Sequence, residues 1–466
     1  MKKNGKSFIS NLWYGMGAIG LDLSYGMFYS WMSIYLTDIL GLKIGFLLLL
    51  TPLARIWDGI NDPMMGSIVD NTKTKFGKYR PWVIIGACAN AIVLFLLFTD
   101  FGLRGTPLYI VTALLYIGWG MTNTMADIPY WSMVPSFTSD PGERSMLSTV
   151  ARAFSGLGQG IISIGAPILL PLLSKESDGD SYDAQGFSRL ALICGVCLIL
   201  FAVVSMSHVK EKAVIKPAEK FTFRKVFAIA KNNDQLLVFM LFAMLSNTGF
   251  YMISGVAAYF FKYVVGDIKA QSLFSALGAV GSVLGLLFLP IMMKFTSRRR
   301  AYQASLIIVI FSYIGMFVSS QVIGSIVLMD VFYLLASIGT GSMFVSQTVF
   351  LADVVDYGEI KMGYRAESVT FSMKGFLQKM AYTIQAVILF AGLGSNYTLV
   401  AKGEADASLV KTPIMLMMLV LPAVFFIVSL IVFTLKFKLH GEYMESITAQ
   451  VTANALEREK AANGGE

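Results

Sequence analysis

Apolar residues in this chain come in runs of about twenty or more, broken by short polar stretches. The first run, from about Phe8 to Leu40, follows the basic stretch Met1–Lys6. It is too long for a signal-peptide core and lacks a convincing small-residue cleavage site, so it reads as a first span. Further spans are expected over about 44–70, 81–99, 106–135, 145–173 and 187–207. After a polar stretch they resume at about 235–262, 270–294, 301–320, 322–352, 366–395 and 412–436. At roughly 20 residues per crossing, twelve crossings take about 240 residues and leave the rest for loops. The pattern predicts an all-α integral membrane protein with twelve transmembrane helices. They form two pseudo-symmetric six-helix bundles, 1–207 and 235–438, joined by a linker at 208–234 and followed by a polar tail at 439–466.

Composition agrees with a lipid environment. The 466 residues are 56% hydrophobic and only 14% charged, with a mean hydropathy of +0.66. Soluble proteins carry about 25% charged residues, so a soluble globular chain is excluded. The 42 glycines suit a bundle whose helices approach closely. The three cysteines (Cys88, Cys194 and Cys197) all lie in apolar runs. Cys194 and Cys197 form C-x-x-C without neighbouring His or further Cys, which argues against a redox or zinc role.

The net charge of +8 falls between the apolar runs and builds no basic face for nucleic acid. It marks the sides of a membrane instead. Alternate loops and tails hold 25 of the 37 Lys and Arg residues, the opposite loops hold 8, and Arg55, Arg152, Lys374 and Lys379 fall inside spans. The richer side is cytoplasmic by the positive-inside rule, which puts both termini and the linker there and requires an even number of spans. A basic turn recurs in each half, at Lys73–Arg80 between spans two and three and at Lys294–Arg300 between spans eight and nine. Such recurrence suggests a duplicated six-helix unit.

Carboxylates inside spans are expensive and so point to function. Asp22 lies midway along span one, and Asp58 and Asp62 share one helix face in Arg55-Ile-Trp-Asp-Gly-Ile-Asn-Asp62. Two acids at i,i+4 repel unless a cation sits between them or one is protonated. The side-chain oxygen of Asn61 adds a neutral ligand of the kind a small hard cation uses. Asp58 also has the simpler option of pairing with Arg55 one turn earlier. Asn61-Asp62 followed by Asp70 resembles half of a magnesium-binding prenyltransferase signature, but a second aspartate-rich motif is missing.

Span four carries Thr124-x-x-Asp127-Ile-Pro129-Tyr-Trp131. Pro129 frees the carbonyl of Met125 beside a buried acid. A carboxylate with an aromatic platform is how a polyol is told from water, although the same residues also fit a proline kink capped by an acid. Arg152, Lys379 and Lys374 bring compensating positive charge, Lys374 having the option of snorkelling to the interface. Four acids against four bases make a near-neutral polar interior suited to a cation and a neutral solute together. No Walker motif, nucleophile elbow or H-E-x-x-H occurs, so neither ATP use nor enzymatic chemistry is expected. The residues alone reach an ion-coupled secondary transporter.

Four stretches sharpen this. Ala54-RIWDGINDPMMG-Ser67, Lys75-FGKYRPW-Val83, Trp119-GMTNTMADIPYWSMVP-Ser136 and Ala352-DVVDYGEIKMGYRAES-Val369 resemble the glycoside–pentoside–hexuronide cation symporters of the major facilitator superfamily, and among them the melibiose carriers. The resemblance spans about Leu12 to Lys438 and implies the major facilitator fold in a bacterial inner membrane. It implies that Asp58 and Asp62 bind the coupling cation (sodium, lithium or a proton), with Asn61 and Thr124 nearby. It implies that Asp22, Asp127, Trp131 and Arg152 bind sugar, with Tyr29 near the pocket and Lys379 as the lysine of span eleven. No cofactor is implied. The implied partners are the sugar, the cation, the lipid bilayer and a cytoplasmic regulatory phosphotransfer protein.

The pattern also departs from that family. Melibiose carriers have Lys, Tyr and Trp where this chain has Leu21, Asn123 and Phe344, which alters the outer contacts to substrate. Hexuronide members usually lack an acid at the position of Asp127, so two retained acids imply a neutral glycoside, a galactoside first. The 28 residues after Lys438 are too few for the phosphotransfer-type domain that some relatives carry, and none is expected. An uncoupled or lipid-handling relative would not need the full set of acids, and a sensor or scaffold would not need a cation cluster. The charge bias yields a direct test by single-cysteine labelling in intact cells. Impermeant reagents should modify position 402 and spare the linker around Lys216; a labelled linker would invert the topology.

Overall fold

The computed structural model describes residues 2–134, 137, 141–175, 182–209, 232–364, 367–394, 396–401 and 403–463. Most of the expected linker, 210–231, lies outside the described residues. Everything described as regular structure is helical: α1 (Lys2–Ile34), α2 (Ile44–Asn71), α3 (Arg80–Leu97), α4 (Thr106–Ser132), α5 (Pro141–Leu173), α6 (Ala184–His208), α7 (Asp234–Tyr259), α8 (Ala270–Phe295), α9 (Arg298–Phe317), α10 (Ile326–Met362), α11 (Glu367–Leu393), α12 (Asn396–Ala401), α13 (Ser408–Met415), α14 (Leu421–Lys436) and α15 (Gly441–Asn463). Short π-turns extend α1 (Tyr35–Ile39), α7 (Phe260–Val265) and α9 (Val318–Ile323), and Leu416–Val420 joins α13 to α14 as a twelfth long segment.

Ten of these segments are long and apolar enough to cross a membrane. The two long helices of the expected set that fall short are α1 and α4. Both have the length, but Tyr, Trp, Ser, Thr, Gly and the acids Asp22 and Asp127 dilute their hydropathy. The two helices that fall short are those carrying the two expected sugar acids, Asp22 and Asp127. Helix α10 runs about ten residues past the expected end of its span, through Asp353, Asp356, Glu359 and Lys361. Those charges read as loop, yet they stay helical because the fold gives them partners. Asp353 meets Arg298 at 3.4 Å, and Lys361 meets Asp234 at 2.5 Å.

The chain divides into two compact units: 1–217 with 254–276 and 386–415, and 218–253 with 277–385 and 416–466. In the first unit α1 packs chiefly on α5 and α6, α3 lies against α4 and α6, and α2 rests on α4. Contact at the α3–α4 crossing is backbone to backbone. A Cβ added to Gly86 would stand 2.5 Å from the amide nitrogen of Ala126, one residue before Asp127, so only glycine admits this approach. The crossing is fixed by buried Asn90. It accepts from Ser24 Oγ at 2.6 Å and donates to the carbonyl of Trp119 and to Thr122 Oγ1. Tyr14 and Tyr130 stack with centroids 4.5 Å apart, and each hydroxyl donates to the other residue's carbonyl at 2.5 and 2.6 Å. These ties pin α1 to α4 around the acids.

Both α1 and α7 end in a π-turn followed by a left-handed glycine, Gly41 at φ 61° and Gly266 at φ 84°. Their π-turns meet at Asp38, whose side chain is 2% exposed. Lys262 Nζ donates to it at 2.5 Å and Tyr263 Oη at 2.8 Å, and the hydroxyls of Thr37 and of Tyr397 on α12 donate as well.

In the second unit α9 packs on α10 and α14, and α15 lies along α10. Rings of Phe242, Tyr302, Phe350, Phe433 and Phe437 fill the centre, with Tyr302 and Phe433 at 4.5 Å. The polar tail is thus amphipathic, burying Met444 and Ile447. Gly86→Leu should test the α3–α4 crossing. Overpacking typically costs about 1–3 kcal/mol, so the variant should lose thermal stability in detergent, whereas Gly45→Leu, where a Cβ meets nothing, should not.

Candidate functional site

Two clusters of polar side chains lie along α4. The first faces α2, where the i,i+4 spacing of Asp58 and Asp62 matches that of Gly120 and Thr124. Asp58 Oδ1 lies 3.0 Å from the Cβ position of Gly120, and Thr124 Oγ1 donates to Asp62 Oδ1 at 3.0 Å. The two carboxylates therefore look onto the same strip of α4. Asn61 between them is buried, and its Nδ2 finds no hydrogen-bond partner among the described residues. A buried, unsatisfied amide beside two acids leaves an incomplete polar shell, which is costly unless something fills it.

Asp58 takes the simpler option that the sequence left open. Arg55 Nη1 donates to Asp58 Oδ2 at 2.6 Å, both side chains being 9% exposed. The same guanidinium donates to Tyr29 Oη at 2.8 Å and lies 5.3 Å from the centroid of that ring. Tyr29, expected near the sugar, thus belongs with Arg55 and Asp58. Its ring adjoins Tyr25 at 4.2 Å, while Phe28 stacks on Trp119 at 3.6 Å. Among the described residues no three His, Cys, Asp or Glu side chains gather as a tightly held metal would require.

The second cluster begins one helical turn further along α4. Trp131 Nε1 donates to Asp127 Oδ1 at 2.9 Å, and the Arg152 guanidinium lies 3.8 Å from the centroid of the Trp131 ring. The indole therefore orients the acid with its edge and holds a cation on its face. Asp22 on α1 is hydrogen-bonded by Ser155 and lies within electrostatic reach of both Asp127 and Arg152. It sits there because α5 comes close: a Cβ on Gly158 would be 2.5 Å from the carbonyl of Ile19. Asp22, Asp127, Trp131 and Arg152 are brought together. Two acids, an aromatic ring and a guanidinium stacked on it together offer acceptors and a donor to a hydroxylated solute.

Lys379 and Lys374 lie on α11 in the second unit. Lys374 Nζ donates to Thr348 Oγ1 at 2.6 Å, and Lys379 is half-buried. Nearby on that unit's own helices, Tyr251 stacks on Tyr382 at 3.7 Å and Phe344 meets Phe250 at 4.9 Å. Two further polar residues are not among those the sequence singled out. Asn90 is a lone amide in the apolar run of α3, and Asp38 is a further acid within an expected span. The signal for each was a polar side chain at lipid depth, but their partners lie far away in sequence.

A family model described as MFS/sugar transport protein matches residues 13–441. The lactose permease of Lactobacillus delbrueckii subsp. bulgaricus is 26% identical, with 96% of this chain and 73% of the relative covered. The raffinose carrier protein of Pediococcus pentosaceus is 27% identical over 94% and 70%. The isoprimeverose transporter of Lactiplantibacillus pentosus is 28% identical over 81% and 79%. Among solved structures, a bacterial homologue of the lysosomal transporter Spinster superposes with a TM-score of 0.66 at 14% identity, covering 92% of this chain and 96% of that one. The xylose transporter of E. coli in its inward open conformation gives 0.63 at 10% identity, covering 95% and 99%. At such identities the structures speak for the fold alone, and that fold is the major facilitator fold.

Proposed function

The chain belongs to the MFS/sugar transport protein family, a family of transporters and not of enzymes, and from that premise we propose that it imports a neutral galactoside together with a cation by alternating access. One observation carries the proposal. Thr124 donates to Asp62 and Asp127 accepts from Trp131 on adjacent turns of α4. A cation drawn to Asp58, Asp62 and Asn61 would order Thr124, and with it the turn that presents Asp127 to the sugar. Sodium, lithium and the proton are the candidate ions, with Asp62 the acid on which coupling turns. Relatives named for lactose and raffinose, both galactosides, support this substrate class. The relative named for isoprimeverose keeps a pentoside as the second reading. The reading places the protein in a bacterial inner membrane with both termini in the cytoplasm, where a phosphotransfer protein would regulate it.

Two sets of variants test this. Asp22→Asn and Asp127→Asn each remove a charged acceptor, and hydrogen bonds to charged groups contribute about 1.5–3 kcal/mol. Equilibrium binding should therefore weaken roughly 10- to 150-fold while the protein still inserts; normal affinity in both would move the sugar site elsewhere. Asp62→Asn or Asp62→Cys should still bind sugar and exchange it down a gradient but no longer accumulate it. Cation and sugar should raise each other's affinity by the same factor in the wild type, because coupling is reciprocal, with typical values of about 1–3 kcal/mol. The measurement is sugar affinity at zero and saturating sodium, at two pH values so that proton coupling is seen. Persistent stimulation by sodium or protons in the Asp62 variants would leave Asp58 as the coupling acid.

A further inference from the structure

A cavity of about 1400 Å³ opens in the second unit between the first turns of α9, the stretch of α10 at Phe350 and Asp353, and the tail helix α15. Arg298, Arg299 and Arg300 line it together with His440, against two carboxylates, Asp353 and Glu445. We propose that this cavity binds the headgroup of an anionic phospholipid, its phosphate diester held by Arg299 and Arg300.

Charge supplies the first argument. Arg298 is the member of the trio paired with Asp353, at 3.4 Å. Arg299 instead turns its two nitrogens to uncharged acceptors, the carbonyl of Thr434 at 2.6 Å and the ring of His440. Burial first, and then the charge of Arg299, hold the His440 imidazole below its usual pKa. Neither acceptor carries negative charge, so they give the guanidinium hydrogen bonds without a counter-charge. Arg300 is exposed on the same turn. The amides at this end of α9 add the positive end of a helix dipole, which favours a phosphate group.

An apolar track supplies the second argument and identifies the source of the phosphate. Val283, Leu287 and Ile291 are exposed along one face of α8 at 59%, 62% and 52%, and Phe295 at its end is 86% exposed. Only Thr296 and Ser297 separate Phe295 from Arg298. In a membrane-spanning helix such a face meets hydrocarbon, and it ends three residues before the first of the arginines. A free phosphate needs no such track; a phospholipid needs both parts. Basic pockets at the edges of membrane helices bind anionic headgroups in this way.

The test uses the full-length protein in detergent, titrated separately with phosphatidylglycerol, phosphatidylcholine and inorganic phosphate and read by native mass spectrometry. Phosphatidylglycerol should bind more tightly than phosphatidylcholine. The double variant Arg299→Gln, Arg300→Gln should weaken phosphatidylglycerol by about fivefold per arginine and leave phosphatidylcholine unchanged. Glu445→Gln removes a competing acid and should tighten phosphatidylglycerol, a gain that a damaged fold does not produce. Equal binding of the two lipids, or variants indistinguishable from wild type, would overturn the proposal. Displacement of phosphatidylglycerol by millimolar inorganic phosphate would assign the cavity to a free anion and overturn it equally.

Discussion

A carboxylate at lipid depth must be given its partners by the protein, because no water is there to solvate it. The described part of the first unit is arranged around that requirement. Asp58 receives Arg55, Asp62 receives Thr124, Asp127 receives Trp131 and Asp22 receives Ser155. Every donor comes from the adjacent turn of the same helix or from a helix packed closely against it. The close packing follows from the same need. Gly86, Gly120 and Gly158 stand where a side chain would push α3, α4 or α5 away from its neighbour, and with it the donor that a buried acid depends on.

These partnerships differ in what they leave available. The Arg55–Asp58 pair is short and nearly dry, so Asp58 is satisfied before any cation arrives. Asp62 has a hydroxyl for a neighbour and an unsatisfied amide, Asn61 Nδ2, on the preceding residue. A hydroxyl is an easier partner to rearrange than a guanidinium, and this supports Asp62 over Asp58 as the acid of the proposed coupling. Arg152 over Trp131 plays the opposite part, bringing positive charge to the acids of the second cluster.

The spans were legible because length and apolarity decide them, and the charges inside them were legible because lipid tolerates so few. Asp22, Asp127, Trp131 and Arg152 are drawn from three helices, yet each announced itself by type and depth. What the sequence does not disclose is pairing at long range. Nothing near Asp38 points to Lys262 or Tyr397, and nothing near Asn90 points to Ser24. The choice between a cation and Arg55 as the partner of Asp58 was also undetermined, since both options satisfy the same spacing. The end of α10 was misjudged for a related reason. Its charges look like loop until Arg298 and Asp234, distant in sequence, are seen to compensate them.

The modest hydropathy of α1 and α4 bears on how the protein is made as well as on what it does. A lone Asp near the centre of a helix raises the cost of entering the bilayer by about 2.5–3.5 kcal/mol, and α1 leaves the ribosome before any of its partners exist. Its glycines and tyrosines are fitted to α5 and α6, which are synthesised more than a hundred residues later. Until they arrive, Asp22 has neither Ser155 nor Arg152 beside it. Burial of the first helix in lipid therefore gains from the later helices that bring Asp22 its partners. The residues that suit the interior to a polar cargo thus also make assembly of the first unit a concerted event, and not a helix-by-helix one.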